Sequence, residues 1–251
     1  MSNFLVMTWI LSLGFVPNSS LKISGNSAED SSYLTQTFET GFYLADLLHI
    51  YSAVEIRETK NTNDIYFDPF RGDFLIGGSF YFKNFSIGIL HECNHDIITG
   101  ANLHDYNGWE AAFDKVYITY AMPIRVNSQM AITPSIALTD QFTEKVRKKN
   151  NDEKNYFGYT AVYSSPNILF PELRLEMEFF HLRCYIASLA GYAVHNSIRA
   201  YTQFELGAEI FYKNISLGVD YIKRVNRQKN AGYSLEELIL FIRFRGKSAL
   251  L

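Results

Sequence analysis

FELGAEIFYKNISLGVDYI, residues 204–222, alternates, turns once and alternates again. Before the Lys213-Asn214 pair, Phe204, Leu206, Ala208, Ile210 and Tyr212 share one face, and Glu205, Gly207 and Glu209 share the other. After it, Ile215, Leu217, Val219 and Tyr221 lie opposite Ser216, Gly218 and Asp220. A period of two is the period of a strand. Lys-Asn suits a two-residue hairpin because Asn tolerates a positive φ. Aliphatics and aromatics on one face, with carboxylates and glycines on the other, fit a barrel with an apolar outside and a polar lumen. A soluble sandwich also alternates. GGSFYFKNFSIGI, residues 77–89, is built the same way, so one hairpin type is used twice.

Working outward from these hairpins, alternating stretches fall at 47–59, 72–82, 85–97, 108–121, 128–141, 156–164, 171–184, 199–212, 214–225 and 233–245. Their connections alternate in size. Those at 83–84, 123–127, 164–171 and 213–214 are short; those at 60–71, 98–107, 142–155 and 226–232 are longer and polar. Short turns at one rim and long loops at the other are the layout of bacterial outer-membrane barrels. The expected fold is therefore all-β: an antiparallel up-and-down transmembrane barrel of about ten strands, with eight or twelve as alternatives because 183–198 is ambiguous. Aromatics support it, with 17 Tyr and 20 Phe among 251 residues. LILFIRF near the end resembles the C-terminal signal of such barrels and implies a barrel-assembly machinery as folding partner. The location implied is the bacterial cell outer membrane.

The apolar run from Phe4 to Val16 has the length of a signal-peptide core and is too short for a spanning helix. The expected organisation is a signal peptide at 1–20, a periplasmic segment at 21–46, the barrel at 47–245 and a tail at 246–251. The net charge of −3 shows no basic excess that would point to nucleic acid. Two cysteines, Cys93 and Cys184, allow one bridge at most and lack zinc-ribbon spacing.

FSIGILHECNHDI, residues 85–97, contains His-Glu-x-x-His, the spelling of a zinc protease. That chemistry needs a helix, on which both histidines face one way. The flanks FSIGIL and DIITG are strand and turn material instead. On a strand, Phe85, Ile87, Ile89, His91, Cys93, His95 and Ile97 share the face that begins apolar, so His91 and Cys93 point to lipid near the long-loop rim. On the next strand Val116, Ile118 and Tyr120 form the apolar row, and Glu110 has the same parity. Nucleophile, base and orienting carboxylate on neighbouring strands follow the logic of a catalytic triad. His91, Cys93 and His95 are an alternative metal set, although steps of about 7 Å along a strand are wide for one zinc. No cofactor is expected.

This stretch resembles the lipid A 3-O-deacylase family, outer-membrane barrels with a triad at the outer-leaflet interface. Over about residues 85–120 the resemblance implies His91 as base, Cys93 in the nucleophile's place where the family has Ser, and Glu110 as orienting acid. Asn94 and Asn107 match the residues of its oxyanion region. His95 and Asp96 have no counterpart. Three functions are consistent with the sequence. One is a structural or surface-binding barrel, its lumen filled and charge-paired through Glu205, Glu209, Asp220, Arg243 and Lys115. The second is an acyl hydrolase acting on outer-membrane lipid, and the third a narrow pore.

Overall fold

The computed structural model describes residues 5–23, 26–45, 47–60, 67–96, 109–149, 159–164, 168–193, 201–226 and 234–249. Twelve strands form the barrel: β1 Leu5–Ile23, β2 Asn26–Leu44, β3 Leu48–Lys60, β4 Phe67–Phe82, β5 Phe85–Asp96, β6 Trp109–Ala121, β7 Met130–Lys149, β8 Ile168–Phe179, β9 Leu182–Ala190, β10 Tyr201–Tyr212, β11 Ile215–Asn226 and β12 Ser234–Ala249. Each pairs antiparallel with the next, and β12 returns to β1 over the span from Val6↔Ala249 to Lys22↔Ser234. Three short pieces attach to these strands. Ile124–Arg125 folds back on the start of β7, Tyr159–Ser164 runs beside the far end of β7, and Tyr192–Ala193 continues the line of β9 beside β8.

The count is twelve rather than ten, and the difference has local causes. Residues 159–164 and 168–179 both pair with β7, so two expected strands are one stave. The next turn is Phe180-His181, a sequence with no turn residue at all, and Phe180 carries φ 52. Residues 5–23 and 26–44, expected as a leader and a periplasmic segment, are staves β1 and β2. Residues 246–249, expected as tail, continue β12, and 142–149, expected as loop, continue β7.

The inward side of β1 explains why it does not read as a strand. Val6, Ser12 and Val16 are buried there. Side chains of β2 and β12 close over this wall: a Cβ on Gly14 would lie 2.3 Å from Thr35 Oγ1 and 3.2 Å from Ile239. The Tyr33 hydroxyl on β2 donates to Glu237 on β12 at 2.5 Å, spanning β1. The inner row, Val6, Thr8, Ile10, Ser12, Gly14 and Val16, is small and half apolar, so its alternation against Trp9, Leu11, Leu13 and Phe15 is muted.

Elsewhere parity is clean. The outer face carries Ile89, Leu173 and Ile210, each 65% exposed, an apolar surface far beyond what a water-soluble monomer shows. Phe85 packs on Tyr120 with ring centroids 4.8 Å apart, and Phe179 on Phe180 at 4.4 Å, at the short-turn rim where an aromatic girdle belongs. The hairpins at Lys83-Asn84 and Lys213-Asn214 are one type, as expected, but the positive φ falls on Lys83 (55) and Lys213 (54) rather than on the asparagines. Each lysine lies over the aromatic ring before it, 5.5 Å from Phe82 and 5.3 Å from Tyr212.

The β1–β12 seam yields a direct expectation. Thr8 and Lys247 are register partners, so a Thr8→Cys/Lys247→Cys pair should cross-link on oxidation in membranes and hold the barrel's compact gel migration after heating. Mature protein that lacks residue 8, or a pair that never cross-links, would remove β1 from the barrel.

Candidate functional site

Two places concentrate chemistry: a polar notch in the outer face of β5 and β6, and the charged wall of the lumen. The notch begins where the apolar rows stop. On β5 the outward row runs Phe85, Ile87, Ile89 and then His91 and Cys93. On β6 it runs Tyr120, Ile118, Val116 and then Asp114. The ladder pairs Phe85 with Tyr120 and therefore His91 with Asp114. His91 Nδ1 and Asp114 Oδ1 are 2.7 Å apart, and both side chains are about half exposed, at 44% and 41%. Cys93 follows two residues on, on the same face, level with Phe74 of β4 and Ala112 of β6. It is part-buried, and neither it nor Cys184 is in a disulfide.

Asp114 is the acid that sequence reasoning missed. The register makes it, not Glu110, the cross-strand partner of His91. Glu110 stands four positions further along β6, where its backbone pairs with Arg147; its side chain lies outside the described residues. The signal for Asp114 was available. Laying the two apolar rows against each other residue for residue, Phe85 on Tyr120 and Ile87 on Ile118, brings position 91 to 114.

The other expected site residues fare as follows. Asn94 is on β5, its backbone paired with Asp73 and Ala111, and its side chain is not among those described. The same holds for the side chain of His95, the third member of the metal alternative. Asn107 lies outside the described residues. The His-Glu-x-x-His spelling sits on an extended strand, which separates its histidines along the chain and excludes the helical zinc-protease arrangement.

A histidine whose Nδ1 is held by a carboxylate has its ring orientation fixed, and its Nε2 is left as the atom that exchanges protons. Behind the notch, on the lumen side, Lys115 donates to Glu92 at 2.5 Å. That pair ties β5 to β6 at the same level and holds the register on which the His91–Asp114 contact depends.

The lumen wall is charge-paired, as the inward parity suggested. Glu209, 6% exposed, accepts from Arg183 at 2.8 Å and from Arg245 at 2.9 Å, and lies 3.5 Å from Arg243. Arg243 also donates to Asp220 at 3.1 Å. Glu205 accepts from Gln203. A second network joins Arg57 to Glu55 at 2.8 Å and to Asp73 at 3.4 Å. Desolvated carboxylates and guanidiniums are tolerated here because each has an opposite charge within reach.

No protein-family model matches this chain, and no curated protein matches it. Solved structures do. The β domain of the Bordetella autotransporter Brka superposes with a TM-score of 0.51 at 8% identity, covering 96% of this chain and 98% of that one. An outer-membrane channel from Pseudomonas putida F1 gives 0.49 at 9% identity, with 99% and 97% covered, and the KdgM porin 0.46 at 7%, with 95% and 98%. At such identities the likeness is one of fold. The chain has the fold of the bacterial outer-membrane β-barrels. The resemblance to lipid A deacylases rests on residues 85–120 alone.

Parity makes the position of Cys93 testable. In lipid nanodiscs, a maleimide carried on an acyl chain should label Cys93, whereas a lumen-restricted hydrophilic maleimide should not. Labelling by the hydrophilic reagent alone would turn β5 inside out.

Proposed function

We propose that this protein is an outer-membrane barrel with an acyl hydrolase site on its lipid-facing wall, acting on an ester-linked lipid of the outer leaflet. The observation that supports this most is the His91–Asp114 contact of 2.7 Å on the outward face, next to Cys93 in the same row. A polar pair is costly where lipid would otherwise meet aliphatic side chains. In this reading the pair lies where the apolar rows of β5 and β6 stop, at the level of the ester region of the leaflet.

In this reading each residue has one role. Asp114 accepts from His91 Nδ1–H and fixes the tautomer. His91 Nε2 takes the proton of the Cys93 thiol. The Cys93 sulfur attacks the ester carbonyl carbon, the ester C–O bond breaks, and the proton passes from His91 to the departing alkoxide. The thioester left on Cys93 is then cleaved by water, with His91 as base, releasing the fatty acid and restoring the thiol. Thiols are intrinsically strong nucleophiles, so Cys in place of Ser suits this sequence. The partners in this reading are outer-leaflet lipid and, for insertion, the barrel-assembly machinery. A purely structural or surface-binding barrel is the competing reading, and the same assay decides between them.

Purified protein in mixed micelles of outer-membrane lipid should release fatty acid, measured by mass spectrometry. Cys93→Ala should abolish release. Asp114→Asn should lower the rate about 10²–10⁴-fold, the usual worth of positioned acid–base chemistry, while Glu110→Gln should change it only slightly. Release that survives Cys93→Ala, or none from the native protein, would leave the structural role. Sensitivity to Glu110→Gln with indifference to Asp114→Asn would restore Glu110 as the orienting acid.

A further inference from the structure

The repeated hairpin has a physical purpose inside the barrel. In β4–β5 the inward glycines are Gly77 and Gly88; in β10–β11 they are Gly207 and Gly218. Each lies six residues before or five after the turn lysine, Lys83 or Lys213. Over each glycine lies an aromatic ring from a flanking strand. A Cβ on Gly77 would meet the Tyr51 ring at 2.6 Å, on Gly88 the Tyr117 ring at 2.5 Å, on Gly207 the Tyr185 ring at 2.1 Å and on Gly218 the Phe241 ring at 2.4 Å. The rings therefore lie flat on the wall and turn their other faces to the lumen. In a ring of twelve strands the two hairpins are six strands apart, so the two platforms face one another across the barrel.

The two platforms differ. On one, Tyr51 and Tyr117 meet through their hydroxyls at 3.0 Å, with Ser79 bonded to Tyr117, and His49 extends the surface, its ring 5.0 Å from Tyr51 and 3.9 Å from Tyr43. On the other, guanidiniums cap the rings: Arg174 lies 4.0 Å from the Tyr185 centroid and Arg243 lies 3.7 Å from that of Phe241. Those arginines are already neutralised, Arg243 by Asp220 at 3.1 Å and Arg174 by Glu176 at 3.9 Å. A cavity of about 120 Å³ opens along this wall. A twelve-stranded barrel is roughly 24 Å across at the backbone, taking 4.8 Å strand spacing and a tilt near 40°.

We infer that the short-turn half of the lumen is a passage for uncharged oligosaccharide, which slides between the uncharged His49–Tyr51–Tyr117 platform and the ion-paired wall opposite. A pyranose ring presents C–H groups on its faces and hydroxyls on its rim. Aromatic rings with their negative quadrupole take the former, and fixed, mutually neutralised donors and acceptors take the latter. Because cations and anions cancel on the arginine wall, it offers hydrogen bonds without a net field, which favours a neutral solute over an acidic one. This passage is independent of the outer-face chemistry, since Cys93, His91 and Asp114 point the other way.

Single barrels in a planar bilayer test it. The native protein should conduct ions, and millimolar maltotriose should reduce the current in a saturable way, more strongly than a trimer of galacturonate. Tyr51→Ala/Tyr117→Ala should raise the half-blocking concentration at least tenfold while conductance persists. Gly88→Ala, which pushes the Tyr117 ring off the wall, should lower conductance without loss of heat-modifiable migration and serves if the double variant fails to assemble. Cys93→Ala should leave block unchanged. A barrel that does not conduct, a current indifferent to maltotriose, or block unaltered by both lumen variants would overturn the inference.

Discussion

In hydrocarbon a peptide N–H or C=O without a partner costs several kcal/mol, and no water is present to supply one. A sheet can cross a membrane only if it has no edge, so everything else in this molecule depends on the closure of β12 onto β1. The demand falls hardest on the seam. Two strands from opposite ends of the chain must find one register with no hairpin to set it. The structure meets this with length and with contacts that reach over β1 from both sides, Tyr33 to Glu237 being the shortest of those across it. Arg57 on β3 also comes within 3.9 Å of Glu237. The seam is thus fastened by lumen side chains as well as by backbone.

Once closed, the barrel has two surfaces that obey opposite rules, and each hosts its own candidate chemistry. Outside, charge is sparse: His91–Asp114 lies beyond Ile89 and Val116 in its rows, as Lys223–Glu236, 3.3 Å apart, lies beyond Tyr221 and Leu238 in its own. Inside, charge is ordinary and exactness of pairing matters instead. The glycines of the two repeated hairpins let aromatic rings lie against the wall.

Much of this was legible in the sequence. Parity gave the correct face for His91, Cys93, Glu209 and Asp220, and the Lys-Asn pairs marked two hairpins. What could not be read has physical reasons. Alternation in β1 is muted because Val6, Ile10 and Val16 lie on the inner row, so the run to Val16 looks like a leader. The polar stretches 17–23 and 26–32 show no apolar row, although both belong to strands, β1 and β2. The β8–β9 turn is hidden because Phe180-His181 contains no Gly, Asn or Pro, and SSPNILFP upstream of it looks like the turn instead. Asp114 escapes a reading that starts strand pairing at the loop; it emerges when the register is counted from the rim where the apolar rows begin.

The central claim is that one register places His91 against Asp114 on the lipid side. Nitrogen-15 NMR of the His91 imidazole in lipid nanodiscs tests it most directly. The account predicts a ring protonated at Nδ1 at neutral pH, cross-relaxation to lipid acyl protons, and a change in the Nδ1 signal on Asp114→Asn. A ring protonated at Nε2, indifferent to Asp114→Asn and in contact with lumen water alone, would contradict it.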